Sequence, residues 1–283
     1  MTFALIDAPR PTCEPPGIDP DVATQWLVAF LRDELCVRRR IERAVLGLSG
    51  GVDSAVTAYL CARALGARNV YAMRLPYKTS SPQSLEDAQL VVDDLGVQSR
   101  TIDISAAVDG YLAQEAEADA RRRGNVMARM RMVVLFDQSA KLDALPIGTG
   151  NKTERLLGYF TWHADDAPPV NPIGDLFKTQ VWKLAKHLGV PQRLIDKAPT
   201  ADLVADQTDE ADLGISYAKA DAILAQLLLG YTNEELVERG FAADDVALIR
   251  RRVDATHWKR HLPTTAMLSN TAINEFYLRP VDY

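Results

Sequence analysis

The sequence predicts a three-layer α/β fold: a mostly parallel sheet flanked by helices, followed by a helical C-terminal part. Three observations lead there. Between Ala44 and Ile147, apolar runs of strand length alternate with longer stretches of helical periodicity. Two of those runs end in glycine-containing turns, at Ser49-Gly50-Gly51 and Gly148-Thr149-Gly150. After Gly174 the strand-like runs stop and helical ones take over. Residues 1–19 carry four prolines and read as an irregular arm, which leaves 20–283 as one domain.

A helix is expected from Asp21 to about Arg40, with Trp26, Leu27, Phe30 and Leu31 on one apolar face. Ala44–Leu48 is a strand that enters Ser49-Gly50-Gly51-Val52-Asp53-Ser54, then a helix to Leu65 ended by Gly66. A second strand, Val70–Leu75, leads into the polar loop Tyr77–Pro82, where Pro82 suits the first position of a helix that stops near Leu95-Gly96. Val97–Ile104 is the third strand, followed by helices around Ala106–Glu117 and Val126–Lys141. Gly124, after the basic triplet Arg121-Arg122-Arg123, reads as a helix end before the second of these. Ala144–Ile147 is the fourth strand, and it runs into Gly148-Thr149-Gly150-Asn151-Lys152-Thr153-Glu154. Further helices fit Lys178–Leu188, Tyr217–Leu229, Asn233–Glu238 and Ala243–Thr256.

Composition narrows the function classes. With 283 residues and a net charge of −6, the chain lacks the basic footprint of a nucleic-acid or anionic-membrane binder. Its apolar runs are far shorter than the ~20 residues that cross a bilayer. Three cysteines, Cys13, Cys36 and Cys61, are an odd number at irregular spacing, which fits reduced thiols in a cytoplasmic protein. The His257–His261 spacing lacks the Glu of a zinc motif.

The most informative segment is Ser49–Ser54. A turn between strand and helix presents consecutive N–H groups and the positive end of the helix dipole, which together cradle an anion. Two glycines let backbone approach a phosphate closely, and Ser49 and Ser54 add hydroxyls. Asp53 repels a phosphate directly, but it makes sense as a ligand of Mg²⁺ held against that phosphate. Walker A is excluded because no Lys follows the glycines, and the dinucleotide fingerprint is absent.

Ser49-Gly50-Gly51-Val52-Asp53-Ser54 resembles the pyrophosphate loop of the N-type ATP pyrophosphatases, which have a Rossmann-like fold and cleave ATP between its α and β phosphates. Further blocks follow in order: Met73–Pro76, Ala128–Met132, Gly148–Glu154, Gly174–Gln180, Pro199–Leu203 and Gln207–Glu210. Across roughly residues 20–265 they are similar to the ammonia-dependent NAD synthetases.

The resemblance implies ATP-dependent amidation of deamido-NAD through an acyl adenylate, with ammonia as the nitrogen source and AMP and pyrophosphate as products. Ser49, Gly50, Gly51 and Ser54 would hold the pyrophosphate, and Asp53 and Glu154 would ligate Mg²⁺. Arg74 and Thr149 would contact the nucleotide, while Lys178 and Thr200 would reach the phosphates. Arg129 would bind deamido-NAD, and Asp165 would attract ammonium and accept its proton. A homodimer is also implied, and the helix with Trp26 and Phe30 could supply an interface. Local sequence alone leaves blander alternatives open. Arg74 also reads as a strand-end surface charge, Arg129 as a solvated helix residue, Lys178 as a first-turn residue and Glu154 as a cap.

The chain departs from the family pattern around the acceptor. Trp162 stands where a Lys follows Phe-Thr, and Pro169 replaces the second Asp of a loop whose first Asp survives as Asp165. Trp258-Lys259-Arg260 stands for His-Lys-Arg, so His257 could stand in for the lost His beside Lys259. Two other readings remain: a related AMP-forming ligase acting on another carboxylate, and a nucleotide-binding regulator without catalysis. Tyr77–Pro82 and Ala201–Asp212 are polar and long enough to act as lids. Nothing resembling a glutaminase is legible.

Overall fold

Four strands form one parallel sheet in the order β3-β2-β1-β4. They are β1 (Ala44–Gly47), β2 (Val70–Arg74), β3 (Gln98–Thr101) and β4 (Leu145–Pro146). This computed structural model describes residues 13–200 and 208–261, with 265, 266 and 268. In register, Ala44 of β1 lies between Val70 of β2 and Leu145 of β4. A bridge from Ile147 to Val170 extends the β4 side beyond its last residue.

The strand order has a physical consequence. From β1 the chain steps outward to β2 and β3, then returns to the other side of β1 as β4. By the general rule for such sheets, the carboxyl ends of β1 and β4 are where a ligand crevice is expected. Asp53 and Glu154 stand there, in the first turns of the helices that follow β1 and β4.

The helix that follows β1, α2 (Val52–Leu65), is buried nearly all round, which explains its run of small and apolar residues. Ala55, Ala58 and Ala64 allow close approach of α1 (Pro20–Arg32) and α7 (Lys178–Leu188). On the other side of the sheet, α5 (Ala120–Leu142) packs over β1 and β4. A separate apolar cluster forms around α10 (Tyr217–Leu228) and α12 (Ala243–Thr256), with Tyr217, Leu224, Leu236 and Ile249 buried. This is the helical C-terminal part, and it packs against α6 (Lys152–Leu157) and α7.

Several boundaries differ from the sequence reading. The first helix does not run evenly to Arg40: α1 ends at Arg32, and Asp33–Arg39 winds more widely, as a π-helical segment. Ion pairs five residues apart, Arg38 with Asp33 and Arg39 with Glu34, suit that wider turn. Arg40 then stops it in a left-handed conformation, φ 56°. Gly124 does not end a helix. Asp119 accepts a hydrogen bond from the Arg122 N–H at 2.7 Å and starts α5 there, so the basic triplet is its first turn.

The preceding helix, α4 (Ser105–Leu112), stops short of Glu117. The third strand is also shorter than Val97–Ile104. Its paired residues are exposed at the sheet edge, while Val97 and Ile104 beyond its ends point into the core. Ala201–Asp212 is not loop throughout, because α9 (Asp209–Leu213) is capped by Thr208; residues 201–207 lie outside the described residues. α6 and α8 (Gln192–Asp196) are short helices that periodicity did not reveal. Among the described residues, no helix is long and apolar enough to cross a membrane.

Candidate active site

The loop after β1 closes on itself through its serines. The Ser49 N–H donates to Ser54 Oγ at 3.2 Å, the two hydroxyls lie 3.1 Å apart, and Ser54 Oγ donates to the Gly51 carbonyl at 3.0 Å. Gly50 has φ +80°, and a Cβ there would fall 2.2 Å from the Ser84 carbonyl oxygen of α3 (Pro82–Leu95). Both the backbone conformation and the contact demand glycine. Gly51 caps α2 without a side chain, so the helix amides at its start face outward toward a ligand.

Asp53 stands in the first turn of α2 and meets residues from far along the chain. Lys178, at the start of α7, donates from Nζ to Asp53 Oδ2 at 2.5 Å and to Glu154 Oε1 at 3.4 Å. The lysine side chain is 2% exposed. Burial alone would lower its pKa, but Asp53 and then Glu154 outweigh that and hold it above the usual lysine range. Glu154 is pushed upward, first by burial and then by the charge of Asp53, with Lys178 opposing.

With both acids ionised, as cation binding requires, two carboxylates and one ammonium sum to −1. The donor set is hard oxygen from two strand-end loops, which suits Mg²⁺ sharing a phosphate, since that ion binds one or two carboxylates and leaves other positions to phosphate and water. The residues present therefore fit the metal. Asp53 and Glu154 would hold it, and the residual negative charge beside them would be neutralised. Among the described residues, no group of three or more His, Cys, Asp or Glu side chains forms a metal cage.

Two residues that sequence reasoning missed hold this centre in place. Asn151, fully buried, caps α6: its Oδ1 accepts from the Glu154 N–H at 2.9 Å, and its Nδ2 donates to Asp53 Oδ1 at 2.9 Å. The side-chain amide thus orients the Asp53 carboxylate, while the Asn151 backbone N–H donates to Glu154 Oε2 at 3.2 Å. Its signal was legible as a capping box, Asn151 to Glu154, though the contact with Asp53 was not. Asp221 of α10 is also fully buried. It accepts from Thr153 Oγ1 at 2.6 Å and from the Thr179 N–H and Oγ1 at 2.9 and 2.7 Å, so it ties the first turns of α6 and α7 together. Thr153 Oγ1 in turn accepts from the Lys178 N–H at 2.9 Å. Nearby, the Tyr217 ring lies 5.2 Å from Lys178 Nζ, and its hydroxyl donates to the buried Asp209 at 3.0 Å.

The other expected nucleotide contacts are distributed as follows. Arg74 ends β2, and its guanidinium binds the Gln89 side chain of α3 while its Nε is buried without a hydrogen-bond partner. Thr149 follows β4, half-buried. Thr200 is exposed just before the segment outside the described residues. The Asp209 N–H, at the start of α9, donates to the Pro199 carbonyl at 2.9 Å. The Tyr77–Pro82 loop is tethered to α4 by Tyr77 Oη and Lys78 Nζ, which both donate to Asp109.

The expected acceptor residues form a second group. Arg129 on α5 donates to the Trp162 carbonyl at 3.1 Å. The Trp162 ring stacks at 4.0 Å on His163 and meets Trp258 edge-on at 5.1 Å. Lys259 donates to the carbonyls of Gly158 and Phe160 at 2.8 and 2.9 Å, and burial lowers its pKa against the pull of Asp165 and Asp166. His257 is exposed and turns Nδ1 toward the Asp254 carbonyl. Asp165 is exposed as a residue, and its carboxylate accepts from the Thr161 N–H at 2.8 Å. The protein packed around that carboxylate pushes its pKa up to about 6. The link to the first group is α6, with Glu154 in its first turn and Gly158 at its end, about 6 Å apart along the axis.

A strand–loop–helix turn beside paired acids and a buried lysine, at the carboxyl ends of a parallel sheet, is the arrangement of a nucleotide-binding α/β enzyme. Comparison with known proteins specifies it further. The family model for NAD synthase matches residues 23–263. The NH(3)-dependent NAD(+) synthetase of Fusobacterium nucleatum is 48% identical over 243 residues, covering 86% of this chain and 94% of that one. The protein of the same name from Chlorobaculum parvum is 48% identical over 259 residues, covering 89% and 91%. Among solved structures, the NH3-dependent NAD synthetase from Campylobacter jejuni superposes with a TM-score of 0.76 at 33% identity, covering 89% of this chain and all of that one. The NMN synthetase from Francisella tularensis gives 0.79 at 33% identity, covering 88% and 99%. The chain belongs to the NAD synthase family.

The role of Asp221 is open to test. Asp221→Ala strands two hydroxyls and an N–H in the interior and should cost about 3 kcal/mol or more in urea unfolding, whereas Asp221→Asn keeps an acceptor and should cost less. Equal losses would show that its acceptor bonds do not matter.

Proposed function

We propose that this protein joins ammonia to the nicotinate carboxylate of deamido-NAD at the expense of ATP, releasing AMP, pyrophosphate and NAD. The observation that carries the reading is the meeting of Asp53 and Glu154, from two different strand ends, at one buried ammonium beside the glycine loop.

A carboxylate is a poor electrophile, because attack on it must expel an oxide. An oxygen of the substrate carboxylate instead attacks the α-phosphorus of ATP, forming a C–O–P bond as the bond to pyrophosphate breaks. The amides of Gly51 and α2, with Lys178, hold the departing pyrophosphate as its charge grows. Asp53 and Glu154 would hold Mg²⁺, which when bound would neutralise charge on the phosphate oxygens. Ammonia then attacks the acyl carbon and AMP departs. Asp165, as a carboxylate, draws ammonium in and takes its proton, since only the neutral amine has a free electron pair. Arg129 offers its charge to an acceptor phosphate, and the Trp162–Trp258 pair offers an aromatic face in place of the family's polar side chains. Arg74 and Thr149 contact the nucleotide, Thr200 a phosphate, and Lys259 and His257 the acceptor.

The replaced side chains at Trp162, Pro169 and Trp258, together with the likeness to an NMN synthetase, favour one alternative: a smaller nicotinate-bearing mononucleotide as the acceptor. Exposed Trp26 and Phe30 on α1 and Val133 and Phe136 on α5 support a homodimer. The free cysteines among the described residues support a cytoplasmic setting.

Incubation with Mg-ATP, ammonium and deamido-NAD should yield AMP, pyrophosphate and NAD in equal amounts, and Asp53→Asn should lower the rate by at least about 100-fold. Turnover with nicotinate mononucleotide alone would select the alternative acceptor, and ADP as product would overturn the reading. The pH profile gives a second test. Asp165 must be ionised to work, so kcat/KM for ammonium should fall as pH drops through about 6. In Asp165→Asn the rate should be low and that acid limb absent; an unchanged limb would remove Asp165 from proton transfer.

A further inference from the structure

We infer that Lys197 is a positioning residue that aims the phosphate-binding loop from behind, an inference that rests on the loop's role as the pyrophosphate cradle. Lys197 directly follows α8, and its ammonium reaches three acceptors: Asp87 Oδ2 at 2.8 Å, Ser84 Oγ at 3.3 Å and the Gly50 carbonyl at 3.4 Å. These use all three of its donors. Asp87, on α3, is fully buried and is also paired with Arg193 Nε at 2.7 Å. The node is therefore fixed, and it joins α3, α8 and the loop.

The geometry of one peptide unit explains what this grip does. The carbonyl of Gly50 and the N–H of Gly51 belong to the same planar trans peptide and point in opposite directions. Holding the carbonyl toward Lys197 turns the Gly51 N–H to the opposite side, where it now donates to Ser49 Oγ over a long 3.3 Å. A phosphate oxygen is a stronger acceptor for the same N–H. Without the ammonium, a peptide between two glycines is free to flip and would present its carbonyl dipole to the phosphate. Gly50 cannot relieve this by moving back, because the Ser84 carbonyl already occupies the space behind its Cα.

The test is equilibrium binding without acceptor, using magnesium α,β-methylene ATP as the probe. Lys197→Met should raise its Kd about tenfold while changing the Kd of deamido-NAD by less than about twofold. Arg193→Met, which strips Asp87 of its other cation without touching the loop, should leave both values within about twofold of the parent protein. Lys197→Met combined with Asp87→Asn removes the lysine and the carboxylate together, so that no under-compensated carboxylate is left buried beside Arg193 to cause misfolding; it should show the same weakening. The inference is overturned if either Lys197 variant binds the analogue as the parent does, or if Arg193→Met weakens it equally. Parent protein that binds the analogue but makes no NAD would instead count against the proposed reaction, leaving the role of Lys197 decided by the binding values.

Discussion

Everything at the centre of this molecule depends on the attraction of one buried ammonium for two carboxylates brought from the ends of two adjacent strands. Lys178 has almost no solvent, so its charge persists only because Asp53 and Glu154 face it. The acids in turn tolerate each other's proximity because the lysine lies between them. Burial and the charge of Asp53 hold the pKa of Glu154 above the usual carboxylate range, and its ionisation leaves one negative charge over at the site, which suits the proposed divalent cation. The polar groups around it serve this balance: Asn151 orients both acids, and Asp221 fixes the turns from which Glu154 and Lys178 project.

The sheet topology makes that meeting possible. Asp53 follows β1 and Glu154 follows β4, neighbours in the sheet but about a hundred residues apart in sequence, and the chain reverses its direction of growth between them. The same architecture separates two tasks. The proposed phosphate centre sits on the starts of α2, α6 and α7, where Ser54, Thr153 and Lys178 are buried. The aromatic and basic groups expected to meet the acceptor lie on a loop, on α5 and after α12, where exposure is greater. Since α6 spans the two, a change in its orientation would move the metal acid and the acceptor loop together.

The parts of the site legible in the sequence are those made of contiguous residues. Ser49–Ser54 and Gly148–Glu154 announce themselves because a phosphate cradle and a capping box each need several residue types at fixed short offsets. Asp221 and Lys197 were invisible for the opposite reason: each works through partners across 42 to 147 residues, and nothing local distinguishes them; for Asn151 the cap was local, but the bond to Asp53 was not. The sheet was legible from alternating apolar runs, but its edge strand was overextended because the buried Val97 and Ile104 lie outside the ladder. Gly124 misled in the same way, since an N-cap at Asp119 outweighs one glycine's preference for helix ends.

The central claim is that Asp53 and Glu154 jointly hold a cation against the phosphates. Electron paramagnetic resonance of Mn²⁺ titrated into protein saturated with α,β-methylene ATP measures this directly. Asp53→Asn and Glu154→Gln should each weaken the protein-bound Mn²⁺ by about tenfold or more, without loss of the folded state. Undiminished Mn²⁺ binding in both variants would contradict the account.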